Sequence, residues 1–143
     1  MAVFVDTNVF VYAVGKAHPL REPARRLLDA AAEGSLRITT TPDVVMEFTH
    51  VCSRRRTRAA AVVLARDVAL ACAPMLDVSP ADIARALDLF DRHRDLDAFD
   101  SLVAAMALNS TVDALVSADR GFGAVLGLPW HDLADLEVGR LIR

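Results

Sequence analysis

Three consecutive apolar residues, Val3-Phe4-Val5, stop abruptly on Asp6-Thr7-Asn8, and this junction constrains the fold more than any other stretch of the chain. A run with two β-branched valines reads as a strand buried on both faces, and Asp-Thr-Asn is the chemistry that ends strands and opens helices. Asp6 is therefore expected at the carboxyl end of a central strand. In open α/β sheets that edge is where ligands bind, so Asp6 is the first candidate for a functional group. Its plain alternative is a helix cap, because Asp, Thr and Asn are all good N-cap residues.

The rest of the chain alternates in the same way. Val9 to Val14 reads as a helix that Gly15 to Pro19 breaks, and Pro23 suits the first turn of a second helix closed by Gly34. Leu36 to Thr39 reads as a strand. Thr40-Thr41-Pro42-Asp43 then opens a helix with an apolar stripe of Val44, Val45, Phe48 and Val51, and with Asp43 and Glu47 four residues apart on one face. Arg54-Arg55-Arg56-Thr57-Arg58 is expected to be a basic bend, followed by an Ala/Val/Leu-rich helix from about Ala59 to Ala73 that is apolar enough to supply an interface between subunits. Met75 to Val78 reads as another short strand. Ser79-Pro80-Ala81-Asp82 is a cap, a first-turn proline and an N3 acid, opening a helix that runs to about His93. Ala98 to Leu108 reads as a helix with Asp100 in its first turn, Ala114 to Ser117 as a buried strand leading to Asp119, and Leu128 to Trp130 as an edge strand. Strands alternating with helices imply one parallel sheet with helices on both faces.

Composition sets the outer bounds. The 143 residues predict a single domain spanning the chain, long enough to bury roughly 70% of the surface its unfolded form exposes. With 54% hydrophobic and 24% charged residues the chain reads as globular, and no apolar run approaches the roughly 20 residues that span a bilayer. The start carries no basic leader, so the expected location is the cytoplasm. Cys52 and Cys72 fit neither a disulfide framework nor a metal-binding pair and read as buried thiols. A net charge of −3 argues against a protein that merely coats nucleic acid, since such proteins carry a surplus of cations. It leaves room for an enzyme whose acids hold metal ions.

Those acids converge. Right-handed crossovers bring every parallel strand back in one direction, so the strand-end acids Asp6 and Asp119 share one edge, where the helices carrying Glu47 and Asp100 also begin. Four carboxylates at one edge repel one another unless cations neutralise them, which favours a hard divalent ion such as Mg²⁺. Such a site fits phosphodiester hydrolysis by a metal-activated water. Each acid also has an ordinary explanation: Asp6 as a cap, Glu47 as an exposed helical acid, Asp97 and Asp100 as a capping pair, Asp119 as a turn residue. The histidines (His18, His50, His93, His131) make no catalytic set and read as surface or capping residues. Tyr12 and Trp130 read as core or edge packing.

Taken together, Val5-Asp6-Thr7-Asn8-Val9, Val45-Met46-Glu47-Phe48, Phe99-Asp100-Ser101-Leu102-Val103-Ala104-Ala105 and Ser117-Ala118-Asp119-Arg120-Gly121-Phe122 resemble, in order and spacing, the four acidic motifs of a PIN-domain nuclease of the VapC toxin type. The resemblance runs from residue 3 to about residue 130. It implies a three-layer α/β/α fold around a central parallel sheet of four to five short strands, and a Mg²⁺- or Mn²⁺-dependent endoribonuclease neutralised by a cognate VapB-type antitoxin and usually dimeric. On this reading Asp6, Asp100 and Asp119 hold the metal, Glu47 completes the shell or orients the water, and Thr7, Asn8 and Ser117 position the carboxylates. Asp97, three residues before Asp100, leaves the third ligand open between the two. Arg54, Arg55, Arg56 and Arg58 are the candidate RNA-contacting patch, with a solvated turn as the alternative. Two other readings remain: an inert binding module of the same fold, and a haloacid-dehalogenase-like phosphatase, which needs a second aspartate where this chain has Asn8.

Overall fold

The computed structural model describes residues 2–142. A four-stranded, wholly parallel sheet forms the centre, in the order β2-β1-β3-β4. Its strands are β1 (Val3–Val5), β2 (Ile38–Thr39), β3 (Ala114–Ser117) and β4 (Trp130–Asp132). Six helices flank it: α1 (Thr7–Val14), α2 (Arg21–Ala32), α3 (Pro42–Arg55), α4 (Arg58–Ala71), α5 (Pro80–Arg92) and α6 (Ala98–Asn109). The result is the expected three-layer α/β/α arrangement. No helix among the described residues is long and apolar enough to cross a membrane.

The two middle strands are completely enclosed. Every residue of β1 and β3 is buried, as are Val9, Phe10, Leu27, Val44 and Phe48, which reach the sheet from α1, α2 and α3. Phe10 meets Phe48 edge to face at 5.9 Å between ring centres, locking α1 against α3. The helices pack in pairs, α1 with α2 and α3, α3 with α4, and α5 with α6. Cys52 and Cys72 are buried free thiols.

Local chemistry fixes where the helices begin. Thr41 caps α3 with Pro42 in its first turn, and Ser79 caps α5 in a complete capping box with Asp82. Asp82 also accepts from the Asn109 amide at 2.9 Å, tying the start of α5 to the end of α6. Gly34, just past α2, has φ 79°, the left-handed geometry that a side chain disfavours.

Two expectations are corrected. Met75 to Val78 forms no strand: only Leu76 N–H reaches across, to the Thr40 carbonyl at 2.9 Å, and one bond beyond the end of two-residue β2 builds no ladder. The basic run Arg54 to Arg58 is no single bend either. Arg54 and Arg55 complete the last turn of α3, Arg56 caps it, and Arg58 opens α4 after its own cap, Thr57. The edge strand near Trp130 does form, but it starts at Trp130, just after the proline.

Candidate active site

The sheet order creates the site. The chain steps from β1 to β2 on one side and then crosses back over β1 to β3 on the other, so the strand order reverses and a crevice opens at the carboxyl ends of β1 and β3. Asp6 follows β1 and Asp119 closely follows β3. Both act as N-caps, Asp6 accepting from Thr7 N–H at 2.8 Å and Asp119 from Gly121 N–H at 2.9 Å. Capping does not take these acids away from the crevice, because a cap at a strand end is also the position that faces it.

Asp6, Asp97, Asp100, Asp119 and Glu47 line one open cavity of about 370 Å³, together with Thr7, Asn8, Val11, Tyr12, Val51 and Arg55. Hydrogen bonds hold the carboxylates in place. Ser117 Oγ donates to Asp6 at 2.8 Å, while Asn8 Nδ2 and Asp119 N–H donate to that same Oγ at 2.9 and 3.0 Å. Asn8 Oδ1 accepts from Ala118 N–H at 3.0 Å, and Thr7 Oγ1 donates to Glu47 at 2.9 Å. Asp97 spends one oxygen on capping α6, accepting from Asp100 N–H at 2.7 Å. Asp43, which shares a helix face with Glu47, does not line the cavity.

The electrostatics are unfavourable without a cation. Burial pushes the Asp6 carboxyl from 3.8 up to about 6, against the opposing hydrogen bonds from Ser117 and Thr7 and with help from the charges of Glu47 and Asp119. Asp100 is raised as well, first by desolvation, then by a hydrogen bond with Asp119 and by the charges of Asp6, Asp97 and Asp119. Two carboxyls hydrogen-bond to each other only through a shared proton, which marks where positive charge is wanted. The donors are all hard oxygens, and among the described residues the sole cationic group on the cavity wall is Arg55. Among the described residues no three acids, histidines or cysteines are drawn into a closed ligand cluster. An open cage of this kind suits Mg²⁺, which keeps several waters and takes few protein ligands.

Some features were not read from the sequence. Tyr12 packs against the core as expected, but it also lines the acidic cavity and stacks on His18 with ring centres 4.6 Å apart. Of the four arginines, Arg55 reaches the acids, Arg55 and Arg56 border a neighbouring groove, and Arg58 faces a separate depression beside Met46 and His50. Trp130 is edge packing, its Nε1 donating to the Ser117 carbonyl at 3.2 Å.

This sheet order and acid-lined crevice define the PIN-domain class, and the sequence signature of the PIN domain matches residues 3–127. The chain belongs to that family, and within it to the VapC-type ribonucleases. It is 42% identical over 121 residues to Ribonuclease VapC7 of Mycobacterium tuberculosis, covering 84% of this chain and 83% of that one. Ribonuclease VapC23 of the same organism is 40% identical over 103 residues, covering 70% and 79%, and Ribonuclease VapC13 is 33% identical over 129 residues, covering 88% and 96%. In fold, the chain is similar to a chain of VapBC2 from Rickettsia felis solved with a DNA fragment from their promoter. The TM-score is 0.71 at 19% identity, covering 92% of this chain and 98% of that chain. The phosphatase alternative finds no support, since Asn8 spends both ends of its amide on Ser117 and Ala118.

Proposed function

We propose that the protein is the toxin of a toxin–antitoxin pair, a Mg²⁺- or Mn²⁺-dependent endoribonuclease that hydrolyses RNA phosphodiester bonds and is silenced by a VapB-type antitoxin. The observation that carries this reading is the gathering of Asp6, Glu47, Asp100 and Asp119, from four separate segments, around one cavity at the β1/β3 crevice. These four side chains would hold the metal, directly or through water. A bound divalent ion supplies neutralising charge for the phosphate and lowers the pKa of water. The chain supplies the rest. Thr7 N–H and the Ser117 hydroxyl hold the two Asp6 oxygens, the Thr7 hydroxyl steadies Glu47, and Asn8 fixes Ser117 from behind. Arg55, beside the acids, is placed to meet a backbone phosphate.

Dimerisation is part of the same proposal. Val63 and Leu70 stand exposed along α4, at 60% and 80%, and apolar side chains that open to water favour a partner surface.

The test is incubation of a mixed cellular RNA pool with the purified, antitoxin-free protein and Mg²⁺ or Mn²⁺. Cutting that vanishes with EDTA and in Asp6→Asn is expected. Cutting that persists in both controls overturns the metal-dependent mechanism, and intact RNA across a broad pool favours an inert binding module of the same fold.

A further inference from the structure

The acidic cavity does not end at the carboxylates. Val11, Tyr12 and Arg55 form a shared wall, and beyond it lies a second, larger groove of about 700 Å³. Its chemistry is opposite. Lys16, the only lysine of the chain, stands there with Arg55 and Arg56, and Tyr12 and His18 form a stacked pair with planes 29° apart. The cations come from two elements, the turn after α1 and the end of α3, so the positive lining is a product of the fold and not of one charged run.

The aromatic pair is held in position. Leu20 N–H donates to His18 Nδ1 at 3.1 Å, which fixes the imidazole plane. Arg56 reaches back from the start of the α3–α4 turn to the Val14 carbonyl, fastening the two walls of the groove together. His18, Lys16, Arg55 and Arg56 are all exposed, whereas Tyr12 is half-buried under His18.

We infer that this groove is the subsite for the nucleotides flanking the scissile phosphate, and that it takes an unpaired RNA strand, with one base added to the Tyr12–His18 stack and adjacent phosphates met by Lys16, Arg55 and Arg56. The inference rests on the ribonuclease reading and adds to it the assignment of Tyr12, His18 and Lys16 as RNA-binding residues. An aromatic platform beside cations is how single strands are held, because an unpaired base exposes a face that a duplex keeps covered. An acidic polypeptide would satisfy the cations but leave the stacked pair without a role.

The experiment is binding, not cleavage, so that it succeeds or fails independently of turnover. Asp6→Asn protein in EDTA is titrated against a short, unstructured RNA carrying a fluorescent adenine analogue, and against the same RNA annealed to its complement. The single strand is expected to bind at least tenfold more tightly and to quench the analogue. In the Asp6→Asn background, His18→Ala is expected to weaken binding about tenfold and remove the quenching, as stacking losses do. His18 is exposed, so this variant leaves the core untouched; Tyr12→Leu provides the second aromatic variant. Lys16→Ala and Arg55→Ala should each flatten the salt dependence by about 0.7 in log–log slope, the signature of one lost phosphate contact on a single strand. Equal affinity for duplex and single strand, or unchanged quenching in His18→Ala and Tyr12→Leu alike, overturns the inference. So does an RNA affinity indifferent to these changes while binding of a glutamate-rich peptide is lost. Single-strand binding by this groove without any metal-dependent cleavage would sustain the subsite and sink the nuclease reading.

Discussion

Ser117 donates a 2.8 Å hydrogen bond to Asp6 across the seam between β1 and β3, so the carboxylate at the end of one central strand is aimed by the last residue of its neighbour. The same hydroxyl accepts from Asn8 and from the Asp119 amide, which makes it the point where three parts of the site meet. Ser117→Ala is expected to cost about 1–3 kcal/mol, since several buried polar groups lose a partner together. Cleavage is expected to fall more than stability accounts for, because Asp6 and Asp119 lose their mutual alignment. Thermal unfolding and RNA turnover on the same preparation check both parts.

The raised carboxyls give a pH signature. Asp6 titrates near 3.8 when unfolded and at about 6 in the fold, so between those values the folded state holds a proton that the unfolded chain has released. Its contribution to stability is therefore fully present at low pH and declines as pH rises through that window, by about 3 kcal/mol in metal-free protein. Asp100, also raised, extends the decline upward. In EDTA, the melting temperature of Asp6→Asn relative to wild type is expected to climb from about pH 4 to about pH 7. Mg²⁺ should reverse the deficit most strongly at the alkaline end, where the protons it replaces are already gone. A flat difference across that range would refute the assignment of Asp6 as the strained acid.

Much of this arrangement was legible before any coordinates. Val3 to Asp6 announced a buried strand ending at the edge where the acids gather, and Thr41-Pro42 and Ser79-Pro80-Ala81-Asp82 announced helix starts, because capping is local chemistry written in adjacent residues. Met75 to Val78 misled because its β-like composition says nothing about whether a neighbouring strand is long enough to pair with it. Tyr12 and His18 were unreadable as a pair: their stacking depends on how the turn between α1 and α2 folds back, which spacing does not encode. The four arginines looked like one patch in sequence, yet a helix boundary falls at Arg56 and Thr57, and Arg55 and Arg56 border one groove while Arg58 lines another depression.

Gly121 couples the Asp119 turn to the loop before α6. A Cβ at this position would lie 2.6 Å from the Asp95 carbonyl oxygen, a backbone atom that can yield only if the loop carrying Asp97 moves. Gly121→Ala is expected to destabilise by about 1–3 kcal/mol through that overpacking. Because the displaced segments bear Asp119 and Asp97, divalent-metal affinity should drop as well. Isothermal titration with Mn²⁺ on a still-folded sample separates the two effects, and unchanged affinity would show that the approach to Asp95 is irrelevant to the site.

Asp97 and Asp100 are the pair that sequence left open, both line the cavity, and we propose different work for them. Asp97 caps α6 through Asp100 N–H, a task that asparagine performs equally well, so Asp97→Asn should fold normally and keep most of its metal response. Asp100 instead lines the cavity with Asp6 and Asp119, where burial and their charges make its own charge costly without a cation and useful with one. Asp100→Asn is therefore expected to remove most of the stabilisation by Mn²⁺ and to abolish cleavage, while raising the metal-free stability at neutral pH by relieving repulsion. Thermal unfolding of both variants with and without Mn²⁺ decides between them. If Asp97→Asn loses the metal response and Asp100→Asn keeps it, the roles are reversed, and α6 contributes its ligand from the cap position instead of the first turn.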